Sequence, residues 1–373
     1  MRQSFPLPNR EDLSEATSDA PVEKHRGRLW RYLLLSLVGV AAIVVLLLRV
    51  DRNAIAHELG AADFTWVLAG AIALSAFYFI RAARWYLILG RKHPYPFVFW
   101  TSSIGYLANN AAPGLGELAK PWLLRTRRGT SFASGVSTVM LERLLDFWGL
   151  ATIGLVSFAI LGVGGTSVKG WLWLVGTSIA GVTTFLLATI FILARKRERV
   201  TSLCAAFTER LPLPNHLGER ISTAIDSLLA GAAVLRSSLA TQLLLFSCTL
   251  VIWLFNALAA YFAFRAVGLE LEAAVLVGGL MIVAVSQGLP APPGYIGTYQ
   301  AVWLVAFSAL GVKPDEKVLA AAVVSHGLIL ILTTGYGLLG LQATVISVRE
   351  LLRLRREPQS ALVPAGLPSE ERL

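Results

Sequence analysis

One short segment of the chain places helix-breaking residues beside charged ones. Its members of interest are Asn109, Asn110, Pro113, Gly114, Gly116, Glu117 and Lys120. Proline and glycine interrupt a helix, and a helix that restarts near Gly116 has free backbone N–H groups in its first turn. Such a terminus attracts anions, and Lys120 adds a positive charge. The pattern predicts a site for an anionic headgroup. The alternative is a tight turn in which Glu117 and Lys120 pair with each other.

A second group of ionisable residues lies within a long apolar run. Glu142 and Asp146 are four residues apart and share a helix face, whereas Arg143 and Asp146 are placed to pair. Arg81, on the preceding apolar run, is deep enough to pair with either carboxylate. Arg84 lies nearer the end of that run, and we expect it to extend to the membrane surface. Charges at this depth predict either a functional site or a structural ion-pair cluster, and the sequence favours neither.

A second broken element lies in the C-terminal half. Its polar and helix-breaking members are Gln287, Pro293, Gly294, Gly297, Tyr299 and Gln300. We assign them, together with Arg81, Glu142, Arg143, Asp146 and the first segment, to substrate binding. His326 lies near the middle of the last apolar run, where a histidine is more often an interhelical hydrogen-bonding group than a proton carrier.

Composition identifies the surroundings in which these residues work. Of 373 residues, 55% are hydrophobic and only 15% are charged, with a mean hydropathy of +0.63. This indicates an integral membrane protein. The net charge of +10 predicts contacts with anionic lipid. The basic residues form no stripe interleaved with aromatic residues, so we do not expect the protein to bind nucleic acid. Cys204 and Cys248 indicate neither a disulfide nor a metal site, and no nucleotide loop is present, so we expect no cofactor.

The apolar runs predict an all-α polytopic fold. Six are long enough to cross the bilayer: 30–48, 66–89, 132–161, 171–193, 239–264 and 317–346. Two further stretches, 97–125 and 273–312, are each broken by a Pro-Gly, and the arms on either side of the break are too short or too polar to cross the bilayer. We expect them to form re-entrant hairpins, because irregular backbone at membrane depth is tolerated only inside protein or along a cavity.

The basic residues predict the orientation. The expected cytoplasmic segments carry 24 Lys and Arg residues and the opposite side six, which places both termini in the cytoplasm of an inner, or plasma, membrane. We expect 1–29 to be a disordered tail, 30–346 the transmembrane domain and 347–373 a basic tail. The intervening loop, 195–236, has the apolar spacing of amphipathic helices at the membrane surface.

The layout also predicts an internal repeat. A span, a hairpin and a span at 66–161 are matched by the same series at 239–346, with the opposite orientation. Each hairpin contains a Pro-Gly followed by a further glycine. Paired broken segments in oppositely oriented halves are typical of transporters whose substrate site lies between the repeats. The alternative is two independent breaks.

Four ordered motifs resemble a known family. They are Asn110 to Lys120 with Leu124-Arg125, Leu141 to Asp146, Arg81 to Trp85, and Pro290 to Gln300. Together they resemble the lysylphosphatidylglycerol synthase transmembrane region, a flippase-like domain. The resemblance covers roughly 30–346 and implies movement of a lipid, without the synthase activity of bifunctional members. Lys120 stands where the family often has Arg, and Gln300 where many members have Glu, which weakens any proton-coupling role at that position.

These observations predict a lipid transporter, or flippase, that moves a phospholipid or lipid-linked substrate between leaflets and is not an enzyme. One alternative is a membrane transferase acting on a lipid-linked sugar, with Glu117, Glu142 or Asp146 as acid or base. Another is an accessory subunit of a lipid-synthesis pathway. The expected partners are membrane lipids with anionic headgroups. The sequence does not decide whether the chain also binds a protein partner, either a second copy of itself or a lipid-synthesis enzyme.

The orientation is tested by cysteine accessibility in a chain whose own Cys204 and Cys248 are replaced by serine. A cysteine at Gly165 should react with an impermeant reagent from outside the cell, because the loop there is short and poor in basic residues. A cysteine at Arg127 should react only after the membrane is opened. Labelling of the Arg127 position from outside would refute the hairpin topology.

Overall fold

The computed structural model describes residues 52–163, 170–210, 223, 225–227, 229–286 and 291–344. Every regular element in these ranges is helical, which confirms the predicted all-α class. The α-helices are α1 Arg52–Gly60, α2 Phe64–Ile88, α3 Tyr95–Ala111, α4 Leu115–Arg128, α5 Phe132–Val163, α6 Gly170–Arg195, α7 Arg197–Arg210, α8 Leu239–Ala266, α9 Ala273–Ser286, α10 Thr298–Ala309 and α11 Asp315–Thr344. The predicted span 30–48 and the two predicted tails lie outside the described residues.

Five helices are long and apolar enough to cross a bilayer: α2, α5, α6, α8 and α11. They correspond to five of the six predicted spans. Large apolar side chains on their outer faces are exposed, including Leu254 on α8 and Ile331 on α11. In water such a surface would be unfavourable, whereas lipid chains cover it without cost. The chain is a multi-pass membrane protein.

Both stretches that were predicted to break do so at their Pro-Gly residues. Helices α3 and α4 pack side by side around Pro113-Gly114, where Gly114 has a φ of 84°, in the left-handed region that suits glycine. Helices α9 and α10 pack in the same way around a 3₁₀ turn, Pro293–Tyr295. We call α3–α4 the first hairpin and α9–α10 the second. Gln287 and Pro290 fall in 287–290, outside the described residues.

The helices form two sets with matching contacts. The first set is α2 to α5 and the second is α8 to α11. Within each set the two hairpin arms pack together, and the second arm packs on the following long helix. Between sets, α3 packs on α11 as α9 packs on α5, and the leading helices α2 and α8 make the most extensive contact. The opposite membrane orientation of the two sets stays a prediction.

The segment 195–236 is helical where it is described. Helix α7 follows α6 after a single residue, and the Arg197 guanidinium pairs with Asp226 at 2.6 Å. That hydrogen-bonded pair lowers the pKa of the Asp226 carboxyl. The predicted apolar face of this loop falls largely on residues whose side chains are outside the described part.

Small residues let α3 and α11 approach closely. A Cβ placed on Gly337 would lie 2.4 Å from the Cβ of Leu107, and one on Gly340 would lie 3.0 Å from the Trp100 carbonyl oxygen. In a membrane, where burial of apolar surface does not drive helices together, such close packing supplies much of the association energy. Helix α11 is thereby held against the first hairpin.

We expect Gly337→Ala to destabilise the protein by about 1–3 kcal/mol, because the new methyl group forces α3 and α11 apart. Gly335→Ala on the same helix is the matched control, since a Cβ there meets nothing within 4 Å. The control should be neutral, or more stable by up to about 1 kcal/mol, because alanine favours the helix. Thermal unfolding of purified protein in detergent measures both. Equal melting temperatures for the two variants would contradict the packing argument.

Candidate functional site

Seven ionisable side chains from three helices meet inside the first set. They are Arg81 and Arg84 of α2, Glu117 and Lys120 of α4, and Glu142, Arg143 and Asp146 of α5. We call this group the charged cluster. Spacings of three or four residues put the members from each helix on one face, so that the three faces converge. With four cations and three carboxylates, the cluster carries one surplus positive charge.

Arg84 is the most buried member of the cluster. Its side chain is 0% exposed; Nη2 lies 2.6 Å from Asp146 Oδ1, and Nη1 donates to Thr249 Oγ1 of α8 at 3.0 Å. The prediction that Arg84 extends to the membrane surface is therefore wrong. A carboxylate and a hydroxyl inside the protein accept from its two terminal nitrogens, whereas its buried Nε has no hydrogen-bond partner among the described residues.

Arg81 pairs with both carboxylates of α5, as the sequence predicted. Its Nε lies 3.2 Å from Glu142 Oε1, and its Nη2 contacts Asp146. The guanidinium also lies 5.5 Å from the ring centroid of Phe77 and 5.8 Å from that of Tyr106. Aromatic faces stabilise a cation that has left water.

Lys120 is not available to a ligand in this arrangement. Its side chain is buried, its Nζ pairs with Glu142 Oε2, and it lies 4.1 Å from the ring centroid of Trp85. The predicted contribution of Lys120 to an anion site therefore gains no support from this arrangement, in which Glu142 already pairs with its charge. The alternative, a pair between Glu117 and Lys120, is wrong, because Glu117 pairs with Arg143. Lys120 ties the first hairpin to α5.

The first turn of α4 is capped from within the protein. The Gly116 N–H donates to Asn109 Oδ1 at 2.7 Å, and Asn110 Nδ2 donates to Thr333 Oγ1 of α11 at 2.8 Å. A Cβ on Gly116 would lie 2.2 Å from the Gly105 carbonyl oxygen. Gly116 thus permits contact between α3 and α4, and the predicted approach of a ligand to its backbone is wrong.

The exposed edge of the cluster is the pair Glu117–Arg143. These side chains are 31% and 40% exposed, whereas the other five are nearly or fully buried. Arg143 Nη1 also lies 3.9 Å from Asp146 Oδ2, the pairing that the spacing predicted. Tyr295, in the break of the second hairpin, interacts electrostatically with both members of the pair, and its 3₁₀ turn packs against α3. The exposed edge therefore lies where the two hairpin breaks meet.

The second hairpin carries a neutral counterpart of the charged cluster. Gln300 Oε1 accepts the Gly297 N–H at 2.9 Å and Gln300 Nε2 lies 3.0 Å from His326 Nδ1. The Tyr299 ring stacks on His326 with centroids 4.5 Å apart, and its hydroxyl lies 3.2 Å from Ser325 Oγ. The interpretation of His326 as an interhelical hydrogen-bonding group agrees with these contacts. Pro293 and Gly294 form the turn beside them.

The structure adds three residues to the charged cluster that were not assigned to the site. Arg84 and Trp85, which lie in the motif Arg81 to Trp85, and Thr249 complete its contacts. The spacing of Arg84 from Arg81, three residues on a helix, was a sufficient signal that both face the same way. Nothing in the sequence connects Thr249 to them. In the described ranges, no group of three His, Cys, Asp or Glu side chains is placed to hold a metal ion.

We expect Arg84→Met to destabilise the fold more than any other single removal of a cation from the cluster. Breaking a buried ion pair costs about 3–5 kcal/mol, because the remaining carboxylate is left in a medium of low polarity. Arg143→Met is the control; its partly exposed pair is worth about 1 kcal/mol or less. Denaturant unfolding in detergent compares them. A larger loss for Arg143→Met would contradict the assignment.

Comparison with known proteins places these features in a family. Residues 33–337 match the lysylphosphatidylglycerol synthase TM region. A UPF0104 membrane protein of Methanothermobacter thermautotrophicus is 24% identical over 319 residues, covering 80% of this chain and 90% of the relative. Glycosyltransferase AglD of Haloferax volcanii is 25% identical over 317 residues, which is 78% of this chain but 50% of AglD. The match to the family profile covers most of the chain and all four of its motifs, so the chain belongs to the lysylphosphatidylglycerol synthase TM region family.

Proposed function

We propose that this protein moves a lipid with an anionic headgroup, either a phospholipid or a lipid-linked substrate, from one leaflet to the other. The observation that carries the proposal is the exposed edge of the charged cluster. A surplus positive charge lies beside the pair Glu117–Arg143, at the junction of two interrupted helices. Ionisable side chains at membrane depth mark a functional site by default, and these reach an exposed edge at the hairpin junction.

The arrangement of the helices supports transport. Transporters commonly bind their substrates at the interface of two repeats, next to broken helices. In this chain the two helix sets make matching contacts, and the break of the second hairpin packs on α3 of the first. We take this as support for the predicted inverted repeat. The junction of the hairpins then corresponds to the midpoint of the transport path.

Arg143 is the side chain best suited to meet a phosphate. Its guanidinium is fixed on the helix α5 and partly exposed, and its main partner is the equally accessible Glu117. A guanidinium binds phosphate oxygens through two parallel N–H bonds. A phosphate that takes the place of Glu117 at Arg143 keeps the charge paired, while the acyl chains stay in the lipid outside the helices.

A second function is favoured by one observation, that the relative AglD is named a glycosyltransferase. A transferase acting on a lipid-linked sugar requires a carboxylate able to accept a proton. Glu142 and Asp146 are each held by two or more cations, which leaves Glu117, whose Oε1 pairs with Arg143 and whose buried Oε2 has no hydrogen-bond partner among the described residues. The chemistry of the lipid distinguishes the two functions. Transport leaves the lipid unchanged, whereas a glycosyltransferase reaction attaches a sugar to it or removes one.

The test uses purified protein in liposomes that contain a trace of fluorescent phosphatidylglycerol or, separately, fluorescent phosphatidylcholine. An impermeant reductant added outside bleaches the probe as it reaches the outer leaflet. We expect Arg143→Gln to slow transfer of phosphatidylglycerol about tenfold or more, equivalent to about 1.4 kcal/mol. Transfer of phosphatidylcholine should be slower than that of phosphatidylglycerol in the parent protein.

Arg265→Gln is the matched control. Arg265 also forms an ion pair, with Glu270, and lies over Trp66, but it is remote from the hairpin junction. This variant should transfer lipid at the parent rate. Absence of transfer by the parent protein, or equal rates for Arg143→Gln and the parent, would overturn the proposal. A new lipid product, detected by chromatography after incubation with a sugar donor, would support the transferase.

A further inference from the structure

The hydrogen bonds around Gln300 determine where the proton of His326 lies. The Gly297 N–H can only donate, so the group that accepts it at 2.9 Å must be the side-chain oxygen of Gln300. The side-chain nitrogen of Gln300 then faces His326 Nδ1 at 3.0 Å, and this nitrogen can only donate. His326 Nδ1 is therefore an acceptor. The imidazole is neutral, and its proton is on Nε2.

The same ring holds the break of the second hairpin. Besides accepting from Gln300, it hydrogen-bonds to the backbone of Gly294, a contact that the ring keeps when it is protonated. Gly294 and Tyr295 have φ values of 64° and 56°. The left-handed conformation costs a non-glycine residue such as Tyr295 about 1–2 kcal/mol, so it persists only where surrounding contacts enforce it. His326 supplies contacts on both sides of this strained turn.

Protonation of the ring is incompatible with the hydrogen bond that it accepts from Gln300. An imidazolium has an N–H on Nδ1, and this would face the N–H₂ group of Gln300. The Gln300 amide can turn its oxygen to the imidazolium only by releasing the Gly297 N–H, which caps α10. In either arrangement the second hairpin loses a hydrogen bond in a medium where an unpaired donor is costly.

The groups that face His326 do not compensate for a positive charge. Tyr299 of α10 stacks on the ring, and Tyr78 of α2 interacts with Tyr299. Other titratable or charged groups on the elements packed around α11 are Tyr295 in the 3₁₀ turn, Arg81, Arg84 and Tyr86 of α2, Tyr95 and Tyr106 of α3, Cys248, Tyr261 and Arg265 of α8, Arg52, His57 and Glu58 of α1, and Asp315, Glu316, Lys317 and Tyr336 of α11 itself. Of the carboxylates among them, Asp315 pairs with Lys313, and Glu58 lies 3.9 Å from Lys317.

We propose that His326 is a proton-binding site that controls the second hairpin: the neutral ring lets Gln300 hold the Gly297 cap of α10, and protonation releases that cap while the bond to Gly294 persists. The 3₁₀ turn packs on α3, and Tyr295 interacts electrostatically with Glu117 and Arg143. Release of the cap therefore loosens the second hairpin at the junction where the headgroup is proposed to bind. The coupling of protons to lipid movement rests on the proposed function, whereas the conformational change itself does not.

The experiment measures the hairpin directly. Nitroxide labels are placed by Ile296→Cys, next to the turn, and Leu338→Cys on α11, in a chain whose Cys204 and Cys248 are replaced by serine; the two labelled side chains are 51% and 52% exposed. Pulsed electron resonance gives their distance distribution in nanodiscs at about pH 7.5 and about pH 4.5. The lower value lies well below the ordinary imidazole range, because burial and the contact with Gln300 oppose the charged ring. We expect a longer or broader population at the lower pH.

Two variants identify the group responsible. His326→Gln preserves one acceptor and one donor but does not titrate, so its distribution should not change with pH; the other four histidines of the chain remain. In Gln300→Glu a carboxylate accepts from both Gly297 and the imidazolium, so the hairpin should be held at low pH and loosened at high pH, the reverse of the parent. His93→Gln, remote from this helix pair, is the control and should respond as the parent does.

The inference is overturned if the parent distribution is the same at both pH values, or if His326→Gln retains the change. Should His326→Gln fail to fold, a response of Gln300→Glu in the same direction as the parent overturns it equally. Lipid transfer in liposomes is measured separately. If lipid moves between leaflets but the label distance does not change with pH, only this inference is overturned. If the label distance changes with pH but lipid does not move, the proposed function is overturned and the proton site remains.

Discussion

The ion pairs between α2 and α5 are the constraint on which the rest of the structure depends. A guanidinium buried as completely as that of Arg84 requires a carboxylate at hydrogen-bonding distance, and Asp146 supplies it at 2.6 Å. Because the two residues are on different helices, satisfying one charge fixes the relative height of both helices. Thr249 extends the constraint to α8, and Lys120 extends it to the first hairpin. The hairpin is thus positioned by charge, in surroundings where apolar packing alone discriminates little between alternative heights.

The broken helices impose a second requirement, because each break frees backbone N–H groups that lipid cannot satisfy. Both hairpins meet this requirement with a side-chain amide. Asn109 accepts the Gly116 N–H in the first, and Gln300 accepts the Gly297 N–H in the second. Each hairpin is also connected to α11, by Asn110 through Thr333 and by Gln300 through His326. Helix α11 is therefore the common support of both breaks, and Gly337 and Gly340 let it approach the first hairpin closely.

The two hairpins differ in charge although their contacts correspond. The first is joined to its long helix by Lys120 and Glu142, and the second by Gln300 and His326, which are uncharged. This asymmetry fits the proposed path for an anionic headgroup, since only one of the two hairpins carries charge to it. Membership of the lysylphosphatidylglycerol synthase TM region family agrees with that proposal.

The sequence by itself determined the class of fold, five of the six predicted spans and the positions of the breaks. Runs of about 20 apolar residues suffice to cross a bilayer, and Pro113-Gly114 and Pro293-Gly294 interrupt helices through local backbone chemistry alone. The partners of the charged residues followed only from tertiary structure. Arg81 and Glu142 are 61 residues apart, and Arg84 and Thr249 are 165 apart. Lys120 was therefore assigned to an anion site and proved to be buried against Glu142, and Arg84 was expected at the surface and proved to be fully enclosed. Local patterns specify what each helix is, whereas the pairing of charges depends on which helix faces pack together, and only the assembled bundle decides that.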